Sequence, residues 1–452
     1  MKRNKLTGAF GKSAGRLLCA LSTALITSSG VIPSSSLHAA IYDVDIDSPQ
    51  FTLYTDPYNG NEIKLGGFSG LYPVPGKPDC FYTITDRGPA PDFTVVQPAP
   101  TPPKTYKTWA IPSFGPHLVT LRLMPNGRVK VDEVKPLKNP GGGQITGLPT
   151  SIPATDVPYD FDLNVLPFDE DSLDAEGITI DPWGNFWVCE EYKPSVAMIA
   201  PNGKVQLRLV PAGTLTGLEK VPTYDVLPGV LAKRRNNRGL EGITAAADGI
   251  LYSVMQRPLN NPNRTAADAN GNGRLLAIDL NNLLHGGPGP LIRQYLYQMP
   301  ASNVIGSGSV TVSDLFSTGP GRILVPERGT DKLFEINIAG ATDISTKENA
   351  AGKLLQAPTR TLEQLTAAEL PTFGIVPVTK TVIIQSMTAI SPLLEKVEGV
   401  CVVGNTIFFT YDNDFNVAEA GSTPVNPNPN GPAVQLELLG ENYPKIFTVP
   451  MP

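Results

Sequence analysis

The sequence predicts an all-β chain on three observations. Apolar runs of four to seven residues end at tight turns, a strand-pair unit occurs in five copies, and the chain holds 43 Gly and 45 Pro but only 17% charged residues. Such a composition disfavours helical bundles and favours many short strands. Like units in series, each with room for four antiparallel strands, predict a β-propeller.

The repeat is clearest in three copies. One runs Glu176-Gly177-Ile178-Thr179-Ile180, a Pro-Trp-Gly-Asn turn, then Phe186-Trp187-Val188-Cys189-Glu190-Glu191-Tyr192. Another runs Glu241-Gly242-Ile243-Thr244, a turn at Asp248-Gly249, then Leu251 to Arg257. The last runs Glu398-Gly399-Val400-Cys401-Val402, a turn at Gly404-Asn405, then Ile407 to Asp414. Ser69-Gly70-Leu71-Tyr72 leading to Phe81 to Arg87, and Ser313-Asp314-Leu315-Phe316 leading to Ile323 to Arg328, complete the set. β-Branched and aromatic runs bounded by Gly, Asn and Asp are hairpin signals.

Between the second, third and fourth copies the period is roughly 65 to 72 residues. That leaves space for two more strands, such as Ala197-Met198-Ile199 turning at Pro201-Asn202-Gly203 into Val205-Gln206-Leu207. Mature length over period favours six blades, with five or seven left open. Pro98 to Pro103 and Gly141 to Gly143 mark a long insertion or a degenerate blade. Loop insertions are expected near 90–116, 139–172 and 420–435, all within one domain over 41–452.

Residues 1–40 are expected to be a secretory signal peptide. Lys2, Arg3, Lys5, Lys12 and Arg16 precede an apolar stretch from Leu17 to Ile26, and small residues end it. That stretch is too short to span a bilayer. Its loss takes five of 36 basic residues, leaving 31 against 42 acidic, a net charge of −11. An acidic exported chain, periplasmic or extracellular, is unlike a nucleic-acid binder and suits metal cations. Among Cys80, Cys189 and Cys401, either one disulfide forms with one thiol left over, or all three are buried strand residues.

Acids recur at fixed places in the unit. Inner strands of a propeller face one axis, so Glu176, Glu241, Asp314 and Glu398 are expected to converge there. Strand ends would bring Asp86, Glu190, Glu191, Gln256, Glu327, Asp412 and Asp414 to one face. So many carboxylates need protons, arginines or divalent cations as countercharge. Oxygen-only ligation selects Ca²⁺, with Asp86, Glu176, Glu190, Glu241, Glu327, Glu398, Asp412 and Asp414 as candidate ligands. No organic cofactor is expected. His117 and His285 are too few for zinc or a Ser-His-Asp triad, and Ser69 lacks the second glycine of a nucleophile elbow. Arg87, Lys193, Arg238, Arg257 and Arg328 stand beside the acids, either as salt bridges or, for Arg87, Arg238, Arg257 and Arg328, as clamps on an anionic substrate. Asp268-Ala269-Asn270-Gly271-Asn272-Gly273, with Asp279 following, has the spacing of a calcium loop, although Asn-Gly pairs also make ordinary turns.

Several motifs together resemble the family named for esterase-like activity of phytase. They are Gly66-Gly67-Phe68-Ser69-Gly70-Leu71, Thr85-Asp86-Arg87-Gly88-Pro89, Asp174-Ala175-Glu176-Gly177-Ile178, Glu190-Glu191-Tyr192, Asn237-Arg238-Gly239-Leu240-Glu241-Gly242, Gln256-Arg257-Pro258-Leu259 and Tyr411-Asp412-Asn413-Asp414-Phe415. They run from about residue 65 to 416. The resemblance implies a propeller with phosphoester or ester hydrolase activity. Three functions follow as expectations: a Ca²⁺-dependent phosphoesterase using Glu176, Glu241 and Glu398, a lactonase-like esterase, or a non-catalytic calcium-stabilised binding propeller.

Overall fold

A computed structural model describes residues 39–96, 104–286, 291–301, 310–418, 420–424, 434 and 436–452. The expected signal peptide therefore lies, but for its last two residues, outside the described residues. Among these residues no helix is long and apolar enough to cross a membrane.

Strands dominate, and they group into repeated sheets. Unit one is Phe68–Pro73, Cys80–Thr85, His117–Leu123 and Val129–Pro136. Unit two is Ala175–Ile180, Phe186–Glu190, Ser195–Ile199 and Val205–Pro211, extended by a parallel edge strand, Thr223–Leu227. Unit three is Leu240–Ala245, Ile250–Met255, Asn272–Asp279 and Ile292–Gln298. In unit four Thr311–Val312 and Phe316–Gly319 both pair along Arg322–Arg328, followed by Lys332–Asn337 and Thr379–Ile384. Unit five is Val397–Val403, Thr406–Tyr411 and Lys445–Pro450, completed by the N-terminal strand Ala40–Asp45. That strand also pairs in parallel with unit one at Val44–Val129 and Asp45–Lys130, merging units five and one into an eight-stranded sheet.

The apolar runs carry hydrophobic residues on both strand faces because each unit is covered on both sides. Trp187, Val196 and Met198 of unit two pack on Leu240, Ile243 and Leu251 of unit three. Tyr252 and Val254 then pack on Ile323 and Val325, and Leu324 and Leu333 on Val400 and Ile407. Phe408 and Ile446 pack on Phe81 and Leu121, and Ile84 and Leu118 on Ile178 and Val188. The succession returns to its start, so the hydrophobic core is a ring of layers between neighbouring units.

The inner strands meet at glycines. A methyl group added at Gly70 would lie 2.8 Å from the Gly177 Cα, one at Gly242 2.6 Å from the Asp314 carbonyl carbon, and one at Gly399 2.7 Å from the Gly70 carbonyl carbon. Asp314 occupies the glycine position of its unit, not the acid position that would bring it to the mouth. Its Oδ2 accepts from the Val400 N–H at 2.9 Å. Burial pushes its pKa well up, against the pull of the Val400, Leu315, Leu71 and Ile243 amides.

No sixth unit of this kind forms among the described residues. The expected insertions instead supply an accessory sheet. Asp92–Val96 and Lys104–Thr108 make a hairpin, Pro158–Tyr159 pairs in parallel with Lys104–Thr108, and Ala420–Pro424 in parallel with Asp92–Val96. Further length goes to residues 343–375, anchored on unit three where buried Arg274 holds Glu348 at 2.5 Å and Glu363 at 2.9 Å. Cys80, Cys189 and Cys401 are free and buried, as expected of small strand residues.

Candidate active site

The repeat's acid sits at a β-bulge. Pairing slips between Ala175 and Gly177, between Leu240 and Gly242, and between Val397 and Gly399, so Glu176, Glu241 and Glu398 are each the extra residue. A bulge re-aims its side chain and leaves the ladder locally open. The ring glycine follows at once, where neighbouring backbones approach too closely for a Cβ. These two constraints bring the three glutamates to one mouth.

Strand ends add further groups. Arg87 Nη1 contacts Asp174 Oδ2 and Asn237 Oδ1, each at 2.5 Å, and its guanidinium lies 5.6 Å from the centre of the Tyr192 ring. One carboxylate oxygen each from Asp174, Glu176 and Glu191 lie within 4.8 Å of one another. Arg328 pairs with Glu398, Gln256 donates to Glu241, and Lys396 pairs with Asp414. Asp412 and Asp414 sit on a turn in which Asp414, Phe415 and Asn416 have φ of 46°, 53° and 62°. That strained backbone is held by Asn413, which accepts from the Gly67 N–H at 3.1 Å and donates to the Asn442 carbonyl at 2.8 Å. Phe415 fills the space that a Cβ on Gly67 would occupy, so two distant motifs form one contact.

Burial and mutual repulsion raise most of these carboxyls. Burial, then Asp174, Glu241 and Glu191, push Glu176 well up, and burial, Glu191 and Glu398 do the same for Glu241. Burial raises Glu191 against the opposing charge of Arg238, and burial with Asp414 and Asp86 raises Asp412 well above the carboxylate range. Asp86 is pushed up to about 8 by burial in spite of Arg87, and Glu398 to about 7 in spite of Arg328. Asp414 goes the other way: burial works against it, but Asp412 and Lys396 lower it.

Of the residues singled out in the sequence, Asp86, Arg87, Glu176, Arg238, Glu241, Arg328, Glu398, Asp412 and Asp414 are brought together here. Glu190 is turned into unit two, accepting from the Lys193 amide at 2.8 Å and Arg208 at 3.0 Å; burial pushes it up to about 7. Glu327 pairs with Lys380 and accepts from Tyr297 at 2.5 Å. Arg257 faces Asp268 at 3.2 Å. The four residues with calcium-loop spacing do not form one ligand set. Asp268 and Asn270 lie on a helix, Arg264–Asn270, and Asn270 and Asn272 donate to the carbonyls of Glu363 and Leu362. Asp279 caps the Leu280–His285 helix by accepting from Asn282. Asp174 and Glu191 were absent from the ligand candidates. Asp174 stands two residues before a bulged acid, and of the pair Glu190-Glu191 strand alternation can send only one to the mouth.

The donor set fits a hard divalent cation. It is all oxygen, and no N–H or hydroxyl donor reaches the buried Glu191 Oε1 and Glu241 Oε2, which are left to share a proton or a cation between them. Arg238 approaches Glu191 only at 3.7 Å. Among the described residues, Asp86, Asp174, Glu176, Glu191, Glu241, Glu398, Asp412 and Asp414 face Arg87, Arg238, Arg328 and Lys396, with Arg234 near Glu191 as well, so carboxylates outnumber these cations by eight to five and further cations or protons must balance them.

These acids fall within the stretch that a family model matches, residues 63–415, described as Phytase-like, esterase-like activity of phytase. The chain belongs to this family. The Phytase-like chain also matches an uncharacterized secreted protein of Arthroderma benhamiae, 30% identical over 125 residues. That match covers 24% of this chain and 24% of the relative, so it spans about a quarter of the relative's length. In shape it is similar to periplasmic gluconolactonase of Pseudomonas aeruginosa (11% identity, TM-score 0.33, 92% of this chain and 99% of that one). It is likewise similar to virginiamycin B lyase of Staphylococcus aureus (10% identity, TM-score 0.32, 92% and 100%). Likenesses this distant leave the activity of the Phytase-like chain to be argued from its own residues.

Proposed function

We propose that this Phytase-like chain is an exported, Ca²⁺-dependent hydrolase of an anionic phosphoester, built as a five-bladed propeller. The observation that carries this reading is the convergence of three bulged glutamates with arginines at one mouth. Five four-stranded units whose cores follow one another in a ring support the blade count.

Asp174, Glu176 and Glu191 would hold Ca²⁺, which when bound supplies charge that polarises the phosphoryl oxygens. Arg87, Arg238 and Arg328 orient the anion, as planar guanidinium donors suit paired oxygens. Glu398, poised near 7 beside Arg328, takes a proton from the attacking water. Glu241, whose carboxyl burial and then Glu191 raise, gives its proton to the departing ester oxygen. One P–O bond to water forms, the ester P–O bond breaks, and the products are a phosphate and an alcohol. General acid and general base catalysis each contribute about 10²–10⁴-fold.

The mature protein is assayed against phosphomonoesters, phosphodiesters, phytate and lactones, with and without EDTA, beside Glu241→Gln. Phosphate release should fall about 100-fold or more in Glu241→Gln, with the thermal transition retained. Turnover of lactones alone would move the chemistry to carboxylic esters. Loss of Tm on chelation with no turnover of any substrate would leave a binding propeller.

A further inference from the structure

The segment with calcium-loop spacing lies in surroundings of the opposite sign. Asp268 Oδ1 is 2.7 Å from Arg235 Nη2 and 3.2 Å from Arg257 Nη2, and Asp268 Oδ2 is 3.3 Å from Arg264 Nε. Three guanidinium groups thus share one carboxylate, and Arg238 is near enough to lower the pKa of both Arg235 and Arg257. Arginine does not shed its proton to relieve such crowding. Solvent meets the charge of the exposed Arg264, but the buried Arg235 and Arg257 share the one carboxylate of Asp268, a surplus that suits an anion.

The geometry is that of a site rather than of a closed salt bridge. The side chains of Arg235 and Arg257 are 7% and 10% exposed, yet Arg235 Nη1 and Arg257 Nε are buried without a hydrogen-bond partner. Arg235 Nε is already committed to the Pro258 carbonyl at 3.1 Å, which fixes the plane of its fork. A cavity of about 10 Å³ lies against Arg257, Asp268, Gly271, Met299 and Pro300, room for one oxygen. Arg264, 71% exposed, stands at the solvent side, where the rest of a ligand would remain.

We propose that Arg235, Arg257 and Arg264 form a subsite for an oxyanion of the phosphate class, beside the acidic mouth and distinct from it. Two unfilled buried N–H donors take its oxygens, Arg264 closes over it from solvent, and Asp268 limits its affinity by repulsion. The source is either free inorganic phosphate or a second phosphate of a substrate held at the mouth. The subsite does not depend on the reaction proposed above, because arginines bind phosphate whether or not the chain is catalytic.

The probe is inorganic phosphate, titrated calorimetrically into the full mature chain stripped of divalent cations at constant chloride. One phosphate should bind per chain. Affinity should fall about tenfold or more in Arg257→Gln, since hydrogen bonds to charged groups are of that order. It should fall by a smaller factor in Arg264→Ala, an exposed position that leaves folding intact, and rise in Asp268→Asn. Phytate competing with phosphate would assign the subsite to a substrate's phosphate, and phosphate binding without competition would assign it to the free anion. No saturable binding, or binding equal to wild type in Arg264→Ala and Arg257→Gln, overturns the proposal. Binding that needs Ca²⁺ and vanishes in Glu191→Gln also overturns it, because the phosphate would then sit at the mouth.

Discussion

EDTA should lower the Tm of the chain strongly at pH 8 and little at pH 5, and added Ca²⁺ should restore it. The reason is the excess of carboxylates over cations at the mouth. Without metal, Asp86 is pushed up to about 8 and Glu398 to about 7, and burial with neighbouring carboxylates raises Glu176, Glu241 and Asp412 well above the usual carboxylate range. In the unfolded chain such groups titrate near 4. The folded state therefore binds more protons than the unfolded state from about pH 4 upward, and stability falls as pH rises through that window. The stabilisation is fully present below about pH 4 and is lost through pH 7 and 8. Ca²⁺ bound at Asp174, Glu176 and Glu191 would displace the protons of those carboxyls, so its affinity should rise with pH and flatten the profile. At a thousandfold excess over Kd, binding to the folded state alone contributes about 4 kcal/mol. Calorimetric scans from pH 4 to 8.5, with EDTA and with Ca²⁺, read this directly. Equal EDTA effects at pH 5 and pH 8, or none at either, would mean that protons and arginines alone balance the acids.

How far the sequence discloses this arrangement depends on whether a feature is local. The pairing of an acid with a ring glycine is local, so Glu176-Gly177, Glu241-Gly242 and Glu398-Gly399 could be aligned and their convergence expected. The bulges that aim the glutamates are not visible in spacing, since a bulge is a property of two strands. Asp314 reads as a mouth acid because its unit has Ser313, as unit one has Ser69, where units two, three and five have Glu, and a shift of one residue then moves it from the mouth to the ring. Glu190 and Glu191 are a similar case: adjacent strand residues point to opposite sides, and only the pairing of Phe186–Glu190 with its neighbours decides which faces the mouth. The accessory sheet was out of reach altogether. The Asp92–Val96 and Lys104–Thr108 hairpin is local, but Pro158–Tyr159 joins it from 51 residues away (Pro158 to Lys107) and Ala420–Pro424 from 327 (Ala420 to Phe93), and each is too short to announce a partner. Calcium-loop spacing misled because it counts side-chain oxygens without their surroundings, and around Asp268 those surroundings are arginines.

Gly242→Ala should yield little or no folded protein, and Gly399→Ala the same, whereas Gly177→Ala should be milder. None of these glycines needs a left-handed backbone; what each needs is space. A Cβ on Gly242 would lie 2.6 Å from the Asp314 carbonyl carbon, 2.8 Å from its Cα and 2.8 Å from the Leu315 nitrogen, all backbone atoms. No rotamer change can relieve that contact. The inner strand of unit four would have to move, yet Asp314 ties it to the Val400 amide of unit five, so the displacement passes around the ring. Overpacking in a well-filled core costs about 1–3 kcal/mol when side chains can shift, and a clash with three successive atoms of a fixed backbone should exceed about 4 kcal/mol, the range of disruptive core changes. A Cβ on Gly177 meets the Ile243 side chain and nitrogen and Cys189 Sγ, each at 3.1 Å, and small adjustments can absorb part of that. Gly319, with nothing within 4 Å of an added Cβ, is the control, where alanine should shift stability by no more than about 0.5 kcal/mol. Soluble yield and thermal denaturation of the four variants rank the series. A Gly242→Ala protein with the Tm of the Gly319→Ala control would separate the inner strands of units three and four. The glutamate that precedes Gly242 would then have no reason to meet Glu176 and Glu398 at a common mouth.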